Sequence, residues 1–314
     1  MRTVRAFAPG KLILFGEHAV VHGQPAIAVP LSAVGATVSA EPALPGSGLT
    51  VRAEDIGQTL SYAATPEDSP PYNALIYPLR VALNALQQSE PDLMLTVGST
   101  IPIASGLGSG AALATALIRA LGDALGRPFS NEALNPLVYE VEKRHHGTPS
   151  GIDNTVIVYQ RPVYFVRGQS LETFTIARPF TLVVADTGRS SPTRIAVADV
   201  GRLYEAEPVR VSAIFARIGA IVQAARSAIE SGTMEVLGPL MDENQTLLRD
   251  LSVSSPELDR LCSTARSAGA AGAKLSGGGR GGNLIALVDP DQASAVAAAL
   301  RRDGAVGVIQ TTVR

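Results

Sequence analysis

The chain has 314 residues, 46% hydrophobic and 17% charged, with one cysteine, Cys262, and a formal net charge of −2. That length suits two domains with a sizeable core, and the single thiol excludes an internal disulfide and fits a reducing compartment. Near-neutral charge gives no pull toward nucleic acid or an acidic membrane, and with no signal-peptide core and no uninterrupted apolar run of about 18 residues the reading is a soluble cytosolic protein.

Residues 6–23 read AFAPGKLILFGEHAVVHG. Pro9-Gly10 signals a turn, and residues 11–15 read as a short buried strand. Gly16, Glu17 and His18 then interrupt an apolar neighbourhood. Taken singly, Lys11 also fits a strand-end surface lysine and His18 a satisfied core histidine. Three such groups within a few positions, between glycine turns, favour a polar pocket. Residues 29–40 follow as a strand, and residues 73–86 have helical apolar spacing.

Residues 93–97 read as a strand, residues 101–112 (IPIASGLGSGAA) as a glycine-rich loop, and residues 111–125 as an Ala- and Leu-rich helix. Gly106, Gly108 and Gly110 allow close backbone approach to a ligand. The unpaired N–H groups and positive end of the helix favour an anion, most often a phosphate. The spacing matches neither common phosphate signature, and a flexible loop capping a buried helix remains open on this stretch alone.

Residues 130–154 begin as a helix whose apolar stripe includes Leu134, Leu137, Val138 and Val141. Glu142 and His146 share a face, Gly147 reads as a left-handed cap, and residues 148–151 form a turn. This places Asp153 on a loop just past the helix end. A Glu and an Asp so placed suit a divalent cation and a reacting hydroxyl, although an ordinary charged helix terminus also fits. Glu142, His145 and His146 lack zinc spacing, and hard oxygen ligands favour magnesium.

Residues 156–165 read as strands and 181–185 as a buried strand opening the second half. Residues 186–194 form a loop of hydroxyls and guanidinium groups suited to an anionic substrate. Helices follow near residues 214–229, 239–251 and 258–268. Residues 273–283 (AKLSGGGRGGN) form a second glycine-rich loop, read as approaching a ligand or the first loop, followed by a strand at 284–288, a helix at 291–302 and a last strand at 306–313. The second half is thus an α+β layer. The 26 basic residues include only three lysines, Lys11, Lys143 and Lys274, each beside a glycine- or histidine-rich segment. Where every other cation is arginine, a lysine points to a need for a compact ammonium.

Three segments in this order (PGK with GEH downstream, the GLGS loop, and KLSGGGRGG) resemble the GHMP kinase superfamily. GEHAVVHG, EKRHHGTPSGIDN and LMDENQTLLRDL look specifically like its mevalonate kinases. The resemblance runs over most of the chain. It implies an α+β, two-domain GHMP kinase fold. The N-terminal, ATP-binding domain (residues 1–177) would be ribosomal protein S5 domain 2-like and the C-terminal domain (residues 178–314) ferredoxin-like. It further implies ATP and Mg2+, transfer of a phosphoryl group to the 5-hydroxyl of mevalonate, and a cytoplasmic homodimer without nucleic-acid or membrane partners.

Carried onto this sequence, the resemblance makes Asp153 the catalytic aspartate and Lys11 the lysine that stabilises charge beside it. Glu142 matches a magnesium ligand, and Ser109 or water would have to supply the ligand that Gly110 lacks. Pro102, Ala104, Ser105, Gly106, Leu107, Gly108, Ser109, Gly110 and Ala111 match the phosphate-binding loop. Glu17, His18, Ser150, Thr193, Ser276 and Gly277 match positions near the substrate. One departure stands out: the family usually has two serines after GLG, and the second position here is Gly110, which removes one metal ligand. Another kinase of the superfamily, acting on phosphomevalonate, homoserine or a sugar, keeps the same chemistry. A non-catalytic sensor would be expected to have lost Lys11 or Asp153, and a nucleic-acid module lacks its basic stripe.

Overall fold

The computed structural model describes residues 3–67, 69–70, 72–102, 105–146, 149–189 and 193–314, with 145 and 146 described by backbone alone. The chain forms two compact units. One gathers Met1–Gly10, Val34–Ile103 and Leu107–Gln160, and the other gathers Lys11–Ala33, Ala104–Gly106 and Arg161–Arg314. The chain therefore passes between units several times.

Elements begin with β1 (Val4–Phe15), β2 (Ala26–Pro42), β3 (Leu49–Ala53), β4 (Gln58–Ser61), α1 (Tyr77–Leu86), β5 (Leu93–Ser99), α2 (Ser109–Ala124), α3 (Asn131–His146) and α4 (Ile152–Tyr159). In the first unit the strand order β4-β3-β5-β2 is antiparallel except for the parallel pair β3–β5. Register sets Val38 against Val97, Ala40 against Leu95, and Val51 against Leu95, so these buried side chains share one face. The helix α2 packs behind them, flanked by α1, α3 and α4. Its small residues, among them Ala112, Ala114, Ala116 and Ala120, are fully buried and allow close helix approach.

The remaining elements are β6 (Val163–Phe165), β7 (Glu172–Thr173), β8 (Phe180–Asp186), α5 (Thr193–Ala206), α6 (Pro208–Ser231), α7 (Leu237–Asp250), α8 (Pro256–Ser267), β9 (Gly272–Ser276), β10 (Asn283–Val288), α9 (Ala293–Arg302) and β11 (Gly307–Val313). The second unit contains an antiparallel sheet of order β11-β8-β10-β9. Every residue of β9 and β10 is buried, the polar Lys274, Ser276 and Asn283 among them. Its α6 is long and apolar enough by composition to cross a membrane. Val211, Ile214, Ile218 and Ile221 on it are nonetheless buried, and Arg217 and Arg226 along its length pair with Glu243, Glu172 and Glu230.

Several sequence expectations need correction. Pro9-Gly10 is no turn but lies inside β1. Among the described residues β1 has β2 as its strand neighbour, and a proline without N–H is tolerated on a strand edge. Of the stretch 156–165 read as strands, only residues 163–165 are one (β6), and residues 156–159 belong to the helix α4. Its polar residues Asp153, Asn154 and Thr155 are consecutive at the start and the β-branched run Val156, Ile157 and Val158 that follows is buried, so no helical period shows in the sequence. The polar loop at 186–194 ends in a helix, because Thr193 opens α5. The cap expected at Gly147 lies outside the described residues.

Candidate active site

In the first unit the glycine-rich loop turns into α2 through Gly108, whose φ of 79° is left-handed. No side chain caps this helix, and the first hydrogen bond back into the loop is from Ala112 N to Gly108 O, at 3.0 Å. The N–H groups of Ser109, Gly110 and Ala111 thus point out of the helix start, at its positive end, as an anion site requires. Leu107 is buried and pins the loop, while Ser109 and Gly110 are exposed.

The buried Glu142 of α3 reaches this helix start. A Cβ built on Gly110 would stand 3.3 Å from Glu142 Oε1. Position 110 and Glu142 are therefore neighbours, and the missing serine of the resemblance would have stood at this carboxylate. The Glu142 carboxylate at a helix start is a hard-oxygen donor of the kind magnesium takes, and Gly110 offers it no hydroxyl beside it. Among the described residues no group of three or more His, Cys, Asp or Glu gathers for a metal, so phosphate and water oxygens would complete the shell.

Asp153 is half-buried in the first turn of α4, not on a loop, following the left-handed Gly151 (φ 86°). Asn154 Nδ2 donates to Asn135 Oδ1 at 2.6 Å, and Asn135 Nδ2 donates to Thr155 Oγ1 at 3.2 Å, so α3 fixes the turn that carries Asp153. Ser150 accepts a bond from Ile152 N at 3.3 Å and belongs to the same turn.

In the second unit Lys11 lies on β1 and is buried. His18 is buried and has φ 60° and ψ −48°, with Ala19 N bonded to Glu17 O at 2.7 Å. This is a γ-turn of the positive-φ hand, a strained shape that persists only where surroundings enforce it. His18 Nε2 is 3.0 Å from Gly278 O, and because a carbonyl only accepts, Nε2 carries the proton. Burial holds the imidazole near a pKa of about 4, against the opposing pull of that carbonyl, so the ring is neutral. Glu17 pairs with the fully buried Lys274. Burial pushes the carboxyl up and the ammonium down, and each partner opposes the other's shift.

Ser276 Oγ donates to Ile13 O at 2.8 Å, Gly277 follows with φ 89°, and a Cβ on Gly278 would meet Thr193 Oγ1 at 2.7 Å. Glu17, His18, Thr193, Ser276 and Gly277 thus gather in the second unit. Ser105 and Gly106 belong to it too, and Ser105 O accepts from Asn283 Nδ2 at 2.6 Å, which joins the two glycine-rich segments. Pro102 falls in the first unit, and Ala104 lies outside the described residues. Sequence reasoning missed Asn135 and the partnership of Lys274 with Glu17. Lysine scarcity was the one available signal for the latter.

Family models match two stretches, GHMP kinases N terminal domain at residues 76–161 and GHMP kinases C terminal at residues 225–306. The mevalonate kinase of Pyrococcus furiosus is 35% identical over 98% of this chain and 95% of its own length. The crystal structure of L. major mevalonate kinase in complex with R-mevalonate superposes with a TM-score of 0.84 at 31% identity, covering 99% of this chain and 96% of that one. The Methanococcus jannaschii mevalonate kinase gives a TM-score of 0.84 at 25% identity, covering 99% and 98%.

Proposed function

The chain belongs to the GHMP kinases and, within them, to the mevalonate kinase family, and on that premise we propose that it transfers the γ-phosphoryl group of ATP to the 5-hydroxyl of mevalonate, with Asp153 and Lys11 at the reacting oxygen. The observation that carries the acceptor is the full-length likeness to the L. major enzyme solved with R-mevalonate. Asp153 takes the hydroxyl proton as the oxygen attacks phosphorus, and the bond from phosphorus to the ADP oxygen breaks. Lys11 supplies an ammonium beside the attacking oxygen, lowering its pKa and offsetting charge on the transferred group. The outward N–H groups of Ser109, Gly110 and Ala111 hold the phosphates in place before the reaction, so alignment costs little at the moment of transfer.

Glu142 and Ser109 would hold the magnesium ion, which neutralises phosphate charge when bound. Glu17, His18, Ser150, Thr193, Ser276 and Gly277 line the acceptor side. A cytoplasmic homodimer acting on a small molecule, without nucleic-acid or membrane partners, completes the proposal and rests on the resemblance. A coupled ADP-release assay over mevalonate, phosphomevalonate, homoserine and galactose tests the acceptor. Turnover is expected with mevalonate, and turnover with another acceptor in its place rejects the assignment.

A further inference from the structure

Among the described residues Lys274 is a fully buried cation, with a relative accessibility of 0%, yet the chemistry above does not use it. Its Nζ donates to Glu17 Oε1 and, at 2.6 Å, to Leu275 O, and it lies 5.8 Å from the centre of the Phe15 ring. A buried ion pair is a poor device for stability, since apolar residues of similar volume serve as well or better. Its use lies in direction.

Glu17 and His18 are adjacent, and the peptide between them is the one strained into the γ-turn. The segment from β9 grips both sides of that turn. Lys274 holds the Glu17 carboxylate, the Gly278 carbonyl holds the His18 ring, and Ser276 ties down Ile13 on the strand that leads in. What the grip leaves open is specific. Glu17 Oε2 and His18 Nδ1 are both buried and complete no hydrogen bond among the described residues, although the backbone N–H of Gly277 bears on the Glu17 carboxylate. Both are acceptors, given that His18 carries its proton on Nε2. Two buried acceptors left unpaired cost free energy unless a donor arrives.

We propose that Lys274 is a positioning residue for the phosphoryl acceptor: its ammonium locks Glu17, and through Glu17 the strained turn at His18, so that Glu17 Oε2 and His18 Nδ1 are already aimed at hydroxyl donors of the acceptor. The proposal rests on the acceptor assignment above. Lys274 is fully buried against Glu17, Leu275 and Phe15, so its removal is expected to act on acceptor binding and leave nucleotide binding alone.

The test uses Lys274→Met in the full chain, with steady-state kinetics and 15N spectra of the histidines. Only four histidines are present, and His18→Gln assigns the relevant signal. The expected result is a KM for mevalonate raised at least tenfold, a KM for ATP within twofold, and a His18 signal that changes from a fixed Nε2–H tautomer to an averaged one. If the buried carboxylate stops Lys274→Met from folding, the double variant Glu17→Gln with Lys274→Met removes both charges and is expected to show the same pattern. A folded variant with unchanged mevalonate KM and a fixed His18 tautomer overturns the proposal, as does an equal rise in both KM values. Failure of both variants to fold assigns the pair to stability and also overturns it. A wild type inactive on mevalonate rejects the acceptor instead, while the His18 spectrum still reports whether Lys274 holds the turn.

Discussion

A side chain at position 110 would touch the carboxylate of Glu142: a Cβ on Gly110 stands 3.3 Å from Glu142 Oε1. The carboxylate must yield by a few tenths of an ångström to admit any side chain. Gly110→Ser would return a hydroxyl to the place where the family resemblance has one, next to the proposed metal ligand. We expect the magnesium concentration for half-maximal activity to fall several-fold in this variant. Gly110→Ala, which adds the crowding without the oxygen, should leave it unchanged or raise it. A magnesium titration of the three proteins checks this. Equal behaviour of Ser and Ala would detach Gly110 from the metal.

Asp153 is expected to matter for proton removal and not for nucleotide binding. It sits in the first turn of α4, held by the Asn135 to Asn154 and Thr155 bonds, so Asp153→Asn keeps shape and loses basicity. Loss of a positioned base costs on the order of 10²–10⁴-fold in rate. We expect kcat to fall by that range while the Kd for ATP, measured by calorimetry, stays within twofold. An active Asp153→Asn would remove the aspartate from the mechanism.

Motifs read well from the sequence where local chemistry dictates local shape. Glycine spacing announced the turn into α2, and apolar periodicity located α1, α3 and the helices of the second unit other than α5, whose start reads as part of a polar loop. The errors have physical causes. The run at 156–158 is β-branched and apolar, yet it is buried within a helix whose polar residues Asp153, Asn154 and Thr155 all sit in its first turn. Lys274 and Glu17 are 257 positions apart, and nothing in local pattern couples a lysine in one glycine-rich segment to a glutamate in another. Only the scarcity of lysine hinted at it. Asn135 looked like one more polar residue on a helix, because its task is to hold a neighbouring helix.

His18 should make stability depend on pH. Its ring titrates near 6.5 when unfolded and at about 4 when folded, chiefly because burial disfavours the charged form. Between those values the unfolded chain binds a proton that the folded chain refuses. The contribution is therefore fully present above pH 6.5, declines as pH falls toward 4, and is exhausted below. A shift from 6.5 to about 4 corresponds to roughly 3–4 kcal/mol at most. Thermal unfolding of wild type and His18→Gln at several pH values between 4 and 7 reads the difference. The wild type is expected to lose more stability on acidification than the variant. Parallel curves would place the imidazole in water.

The seat of β9, which carries Lys274 and runs into the second glycine-rich segment, depends on a contact too close for any side chain. A Cβ on Gly272 would lie 2.2 Å from Gly238 O, and one on Gly238 would lie 2.2 Å from Ala271 O. Backbone atoms on both sides leave no flexible group to yield, so Gly272→Ala must push β9 and α7 apart. Overpacking of this kind costs about 1–3 kcal/mol, occasionally more. Gly201 supplies the contrast. It lies within α5, its conformation is open to other residues, and a Cβ there meets nothing within 4 Å. Gly201→Ala should therefore stabilise by about 0.5–1 kcal/mol through helix propensity. Urea unfolding midpoints are expected to move in opposite directions for the two variants. A Gly272→Ala protein as stable as wild type would mean that β9 and α7 do not approach backbone to backbone.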